Sequence, residues 1–203
     1  MKGVMVLCVA GAITALASVA SAQSLATGAP NNGSGGVFMD LTALTNDLQV
    51  TGFEVAYTGT VGTFVDVEVW TRPGSYVGFD ADPTGWTLTQ TVSGERLGTL
   101  VLSPLALTTN INLVAGQTLA VYLHAISAGG GIRYNGTTAA PPQTLWSNGD
   151  LELFSDVSRT GAIPFGGSRF APRTFAGVVH YIPAPASMAL VGAAGLLTLR
   201  RRR

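Results

Sequence analysis

The stretch Val65-Asp66-Val67-Glu68-Val69-Trp70 decides the fold. Valines at 65, 67 and 69 alternate with Asp66, Glu68 and Trp70, and side chains of an extended chain point to opposite faces in turn. One face of this strand therefore enters a core and the other looks outward. The same period of two returns at Leu119, Val121 and Leu123, which alternate with Tyr122 and His124. Residues 48–57 begin in phase at Leu48 and Val50, then shift by one to Phe53, Val55 and Tyr57. Gly52 lies at the shift and predicts a β-bulge that re-aims the strand.

Working outward, further strands are expected at Val37–Leu41, Trp86–Thr91, Gly98–Leu102, Thr108–Leu113, Gly131–Tyr134, Leu151–Phe154 and Phe175–Ile182. Arg72-Pro73-Gly74, Asp82-Pro83, Ala115-Gly116, Pro141-Pro142 and Asn148-Gly149 supply turns between them. No segment carries the 3.6-residue spacing of an amphipathic helix. About ten short strands so punctuated predict an all-β, antiparallel β-sandwich of jelly-roll type over residues 37–182.

The ends read differently. Residues 1–22 have the make-up of a secretory signal peptide: Lys2, an apolar run, and Ala20-Ser21-Ala22 before Gln23, the expected new N-terminus. Residues 23–36, polar and glycine-rich, are expected to be a disordered linker. At the other end Pro183-Ala184-Pro185 precedes an uncharged apolar run, Ala186 to Leu199, and then Arg200, Arg201, Arg202 and Arg203. The run includes Ser187, Leu190, Leu196 and Leu199 and predicts a transmembrane helix. Its fourteen residues reach about 21 Å as a helix, short of a hydrocarbon core of roughly 30 Å, so arginine stems must reach to the far surface. The arginines predict a cytoplasmic end.

Turn, apolar helix and arginine cluster, in that order, resemble the PEP-CTERM sorting signal of exported proteins, with Ala184 where that motif usually carries Glu. The resemblance implies a membrane-embedded processing enzyme of the exosortase type as partner, acting at Pro183, Ala184, Pro185 and Ala186. The segments Met39–Leu44, Val67–Phe79, Gly85–Leu88, Ala115–Leu123, Leu151–Phe154 and Ala171–Tyr181 resemble a family of exported bacterial β-sandwich domains that often carry this tag. That family implies a surface or extracellular module and supplies no site residues.

Composition narrows the chemistry. Cys8 is the one cysteine and lies in the signal segment, so the exported part has no disulfide, thiolate ligand or thiol nucleophile. Setting aside Lys2 and the four terminal arginines leaves six arginines against 11 acids, a net charge of −5. A lysine-free acidic domain is a poor partner for nucleic acid. His124 and His180 are the only histidines and lack any metal-binding spacing. Gly167-Ser168-Arg169 lacks the nucleophile-elbow pattern. Asp80-x-Asp82, with Asp66 and Glu68, forms a candidate calcium loop. Trp70 and Trp86, near Tyr76 and Phe79, are candidate faces for a glycan, although core packing uses the same residues. Arg72 and Arg173 each flank a proline and are expected to bond turn carbonyls or an acid. Asn32-Gly33-Ser34 and Asn135-Gly136-Thr137 match the glycosylation sequon.

The expectation is a non-enzymatic protein without a cofactor, exported, membrane-anchored and displayed at the cell surface or released into an extracellular matrix. The alternative is a carbohydrate-binding or calcium-dependent adhesion module on the same anchor.

Overall fold

The computed structural model describes residues 21–33 and 35–184. The expected signal segment before Ser21, Ser34, and the tail from Pro185 with the expected transmembrane helix lie outside the described residues. Among the described residues there are sixteen strands and no helix. In chain order they are β1 (Gln23–Ala26), β2 (Asn32–Gly33), β3 (Gly36–Ala43), β4 (Leu48–Val55), β5 (Tyr57–Thr58), β6 (Phe64–Pro73), β7 (Thr87–Glu95) and β8 (Ser103–Leu113). The second half holds β9 (Thr118–Ala125), β10 (Gly131–Asn135), β11 (Leu145–Ser147), β12 (Leu151–Phe154), β13 (Ser158–Arg159), β14 (Arg169–Phe170), β15 (Thr174–Phe175) and β16 (Gly177–Pro183).

Alternation sorts these strands into two facing sheets. The larger runs β11-β12-β3-β9-β6-β7, with β13 and β14 hung on the start of β3, and the smaller runs β1-β16-β4-β8. A small third sheet, β15-β10-β2, takes β5 on β10. All strand pairs are antiparallel. Val65, Val67 and Val69 of β6, Val37, Met39 and Leu41 of β3, and Val121 and Leu123 of β9 enter one core with Leu48, Val50 and Phe53 of β4, Leu105 and Leu113 of β8, and Val179 and Tyr181 of β16. Removing each such side chain from water contributes roughly 1.5–3 kcal/mol. The domain is a β-sandwich.

The bulge falls where the phase shift puts it. Val50 pairs with Tyr181 and Gly52 with His180, so Thr51 is the extra residue, and the β8 pairing shifts at the same place. Leu48 and Val50 before it, and Phe53 and Val55 after it, all stay buried.

Two expectations are corrected. Residues 23–36 are not a free linker: β1 pairs with β16 from Gln23↔Tyr181 to Ala26↔Val178, and Leu25 is buried in the core. One leucine at the inward phase, beside an unpaired edge, suffices to zip a polar segment onto a sheet. Gly98–Leu102 is not a strand, and Leu100 and Val101 stand exposed. The chain must cross there from β7 in the larger sheet to β8 in the smaller, and its apolar residues find no row to join.

The β7 and β8 edges are bridged by one side chain. Gln90 accepts from the backbone N–H of Thr108 at 2.8 Å and of Thr109 at 3.2 Å, and its Nε2 donates to the Thr109 carbonyl at 2.8 Å. The Gln90 amide thus stands in for a neighbouring strand on the free edge of β8. Gly94 is dictated by close approach, since a Cβ there meets the Tyr57 hydroxyl.

Candidate functional site

Alternation leaves Phe38, Ala120, Tyr122, His124, Glu68 and Trp70 on the outward side of the larger sheet. Most of that face is not wet. A strap over residues 74–86 and a second over 155–173 cover it, and a second apolar cluster forms beneath them from Phe38, Tyr76, Trp86, Ala120, Tyr122, Val157 and Phe165. Phe38 stacks on Tyr122 with ring centroids 3.8 Å apart and takes the Trp86 edge at 5.7 Å. Tyr76 and Trp86 belong to this cluster and Trp70 packs against it, whereas Phe79 lies outside it and is 42% exposed. Trp86 is 8% exposed and donates its Nε1–H to the Phe79 carbonyl at 2.9 Å. Trp70 is half-buried, edge-on to Phe165 at 5.2 Å, with its Nε1–H donated to Glu68 at 2.9 Å. Phe79 lies under the Arg72 guanidinium at 3.5 Å. Trp86 and Tyr76 therefore present no face to a glycan and Trp70 only part of one, because an aromatic row beside two apolar straps hides more area by packing than by facing water.

Charged side chains pin the straps. Asp40, buried on β3, accepts from the Ser75 hydroxyl at 2.5 Å and the Tyr76 backbone N–H at 2.9 Å. Burial raises the Asp40 carboxyl above its ordinary range, opposed by those two bonds. The Tyr76 hydroxyl donates to Asp156 at 2.6 Å and accepts from its backbone N–H at 2.8 Å, joining one strap to the other. Burial, then the Asp156 charge, pushes the Tyr76 hydroxyl far up. Asp80 accepts from Arg169 at 2.9 Å and from the buried Arg159 at 3.3 Å, and Arg159 also donates to the Asp80 carbonyl at 2.5 Å. Arg72 donates to the carbonyls of Pro73 and Ser75, and Arg173 to that of Pro172, as their proline-flanked positions imply.

The candidate calcium loop does not assemble. Asp80 is committed to two guanidiniums, and Asp82 caps its own turn through the Thr84 N–H and hydroxyl, which holds its carboxyl low. Asp66 accepts from Ser93 and Glu68 from Trp70. Among the described residues no three His, Cys, Asp or Glu side chains converge on one point.

The histidines lie on opposite faces of the sandwich. His180, on the smaller sheet, is half-exposed and 3.0 Å from Glu54. His124, on the outward phase of β9, is nevertheless fully buried, under the second strap. Its Nδ1 meets the Tyr122 hydroxyl at 2.5 Å, and its Nε2 has no hydrogen-bond partner. Gly36 makes room for the ring, since a Cβ there comes within 2.8 Å of Nδ1. Burial lowers His124 from 6.5 to about 4, with the Ala162 backbone acting the other way.

The residues expected to be processed that the structure describes lie at one end of the sandwich. Pro183 closes β16 opposite Leu48, and Ala184 donates its N–H to the Asp47 carbonyl at 2.8 Å. Ala22 is exposed immediately before Gln23, which opens β1 opposite Tyr181. Pro185 and Ala186 lie outside the described residues. Elsewhere a groove of about 300 Å³ runs between the edges of β7 and β8, lined by Thr71, Thr89, Gln90, Asn110, Ile111 and Asn112 among others, all neutral. It holds no acid, base or nucleophile grouping.

Asp40, Asp156, Arg159 and Arg169 were not singled out by sequence reasoning. For Asp40 a signal exists, a carboxylate in an otherwise apolar strand. Arg159 and Asp80 are 79 residues apart, and nothing local joins them.

No family model matches the chain, and no curated protein matches it.

Proposed function

We propose that the chain is an exported, non-enzymatic protein whose jelly-roll-like sandwich is held at a membrane by its C-terminal tail. An exosortase-type enzyme processes it near Pro183–Ala186, for display at the cell surface or release into an extracellular matrix. The observation that carries this reading is how the targeting segments join the body. Gln23 opens the first strand and Pro183 closes the last, so the expected signal peptide and the proline–apolar–arginine tail bracket one folded unit with no linker on either side. Passage of the chain between sheets at β3 to β4, β7 to β8 and β8 to β9 supports the jelly-roll-like description.

The chemistry of the body points the same way. Asp40, Asp80, Asp156, Arg159 and Arg169 are engaged in holding the straps, and the aromatic side chains in packing them. The mechanism is physical: the signal segment directs export, the apolar run halts in the bilayer, and Arg200 to Arg203 set its orientation. Intact-mass measurement on protein from its own cells tests this. Loss of residues 1–22 and a cut within or just after residues 183–186 are expected. A mature chain retaining both Met1 and Arg203 overturns the reading.

A further inference from the structure

The two ends of the sandwich are unlike in one respect: both chain junctions leave from the same end. β1 starts at Gln23 beside Tyr181, two residues before β16 closes at Pro183. Asn148 ties the pair to the β11–β12 turn, donating to the Ser24 carbonyl at 3.3 Å and the Tyr181 hydroxyl at 2.8 Å. The loops 44–47, 114–117 and 148–150 share this pole. They are bound to one another through Leu44 N–H to the Asp150 carbonyl, Gly116 N–H to the Ala43 carbonyl, and Ala115 N–H to the Asp47 carboxylate.

We infer that this pole, formed by loops 44–47, 114–117 and 148–150, is the surface the domain seats against a lipid bilayer. The inference rests on the tail being a membrane anchor, the reading given above. Its force comes from reach. The Ala184 N–H is fastened to Asp47, and Pro185 alone separates Ala184 from the apolar run that starts at Ala186. Two residues span at most about 7 Å, about the depth of one headgroup layer and far too little for the domain to turn over. While the N-terminal apolar segment is attached, it leaves from the adjacent strand, so both segments enter one bilayer without distorting the fold.

Side chains do not select this pole. Leu44 and Val114 are 39% and 50% exposed at this pole, but Val61 and Phe64 are more exposed at the opposite one, so apolar exposure does not choose between the two ends. The three loops carry Asp47 and Asp150 and no basic residue, so lipid charge does not draw the pole down. The tether holds it there.

A fluorophore placed by Leu44→Cys or Val114→Cys, in the full chain with Cys8→Ser, reports contact with phosphatidylcholine–phosphatidylglycerol vesicles that contain a lipid-borne quencher. Val61→Cys is the control, at the other end of the ten-residue β6, about 33 Å away at 3.3 Å per residue. Quenching several-fold stronger at 44 and 114 than at 61 is expected. Equal quenching, or stronger quenching at 61, in chain that sediments with the vesicles overturns the seat and leaves the anchor standing. A chain that fails to sediment with vesicles overturns the anchor and the seat together.

Discussion

On the larger sheet the outward row of Phe38, Tyr122 and Trp70 lies under two straps, whereas on the smaller sheet the outward row of Gln49, Asn110 and Asn112 stands beside water. Both rows arise from the same alternation, and their hydrogen bonds have comparable lengths. Gln49 donates to Asn112 at 3.1 Å and accepts from Asn110 at 3.2 Å, close to the 2.9 Å that joins Arg169 to Asp80. The difference lies in what each bond competes with. On the bare face water replaces a lost amide bond at little cost. Under the straps water is excluded, so a stacked ring or a buried carboxylate has no substitute partner.

The contrast makes graded predictions. Phe38→Ala opens the centre of the covered cluster and is expected to lower stability by about 3–5 kcal/mol. Denaturant unfolding that shows a loss near that of a surface substitution would mean the straps are not part of the cooperative unit. Asp80→Ala leaves Arg159 buried without its carboxylate and is expected to lower stability by about 3 kcal/mol, the low end for a broken buried pair because Arg169 is half in water. Asp80→Asn, which keeps an acceptor, should recover part of that loss.

His124 adds a pH dependence to the covered face alone. The fold holds it neutral down to about 4, while the unfolded chain takes up its proton near 6.5. Stability is therefore flat above the unfolded value and falls as pH drops from about 6.5 toward 4. Linkage from those two values gives a loss of about 2 kcal/mol between pH 8 and pH 5. Asp40, held above its ordinary value, acts in the opposite sense. Unfolding curves of His124→Asn across that range isolate the histidine: the loss of stability toward low pH should disappear, leaving only the opposite contribution of Asp40, and a fall unchanged from the parent assigns the effect elsewhere.

Smaller effects are expected as side chains approach water. Gln90→Ala removes the amide that caps the β8 edge and should lower stability by about 1 kcal/mol, with faster amide exchange at Thr108 and Thr109. Asn112→Ala, on the bare face, should change the unfolding free energy by less than about 0.5 kcal/mol. A larger effect at Asn112 than at Gln90 would erase the distinction between the two faces.

Much of this was legible in the residues themselves. The inward rows of β3, β6 and β9, the bulge beside Gly52 and the carbonyl-bonding roles of Arg72 and Arg173 follow from neighbours a few positions away. Trp86 was not legible. A tryptophan at the head of a strand reads alike whether it faces a ligand or a strap, and the strap that covers it includes Phe165, far along the chain. β1 was missed because its sequence is polar and only Leu25 points inward. Gly98–Leu102 was misread because an apolar run looks like a strand even where the chain must cross between sheets.

By itself the sequence determined an all-β body with one inward row per strand, and two apolar segments with basic flanks at its ends. Period, charge and turn residues act over short range and need no partner to be read. Only the tertiary structure decided which outward row is roofed, that Asp80 meets Arg159 and Arg169, and that both chain junctions leave from one pole. Those outcomes depend on which distant segments exclude water from one another, and no local pattern encodes that.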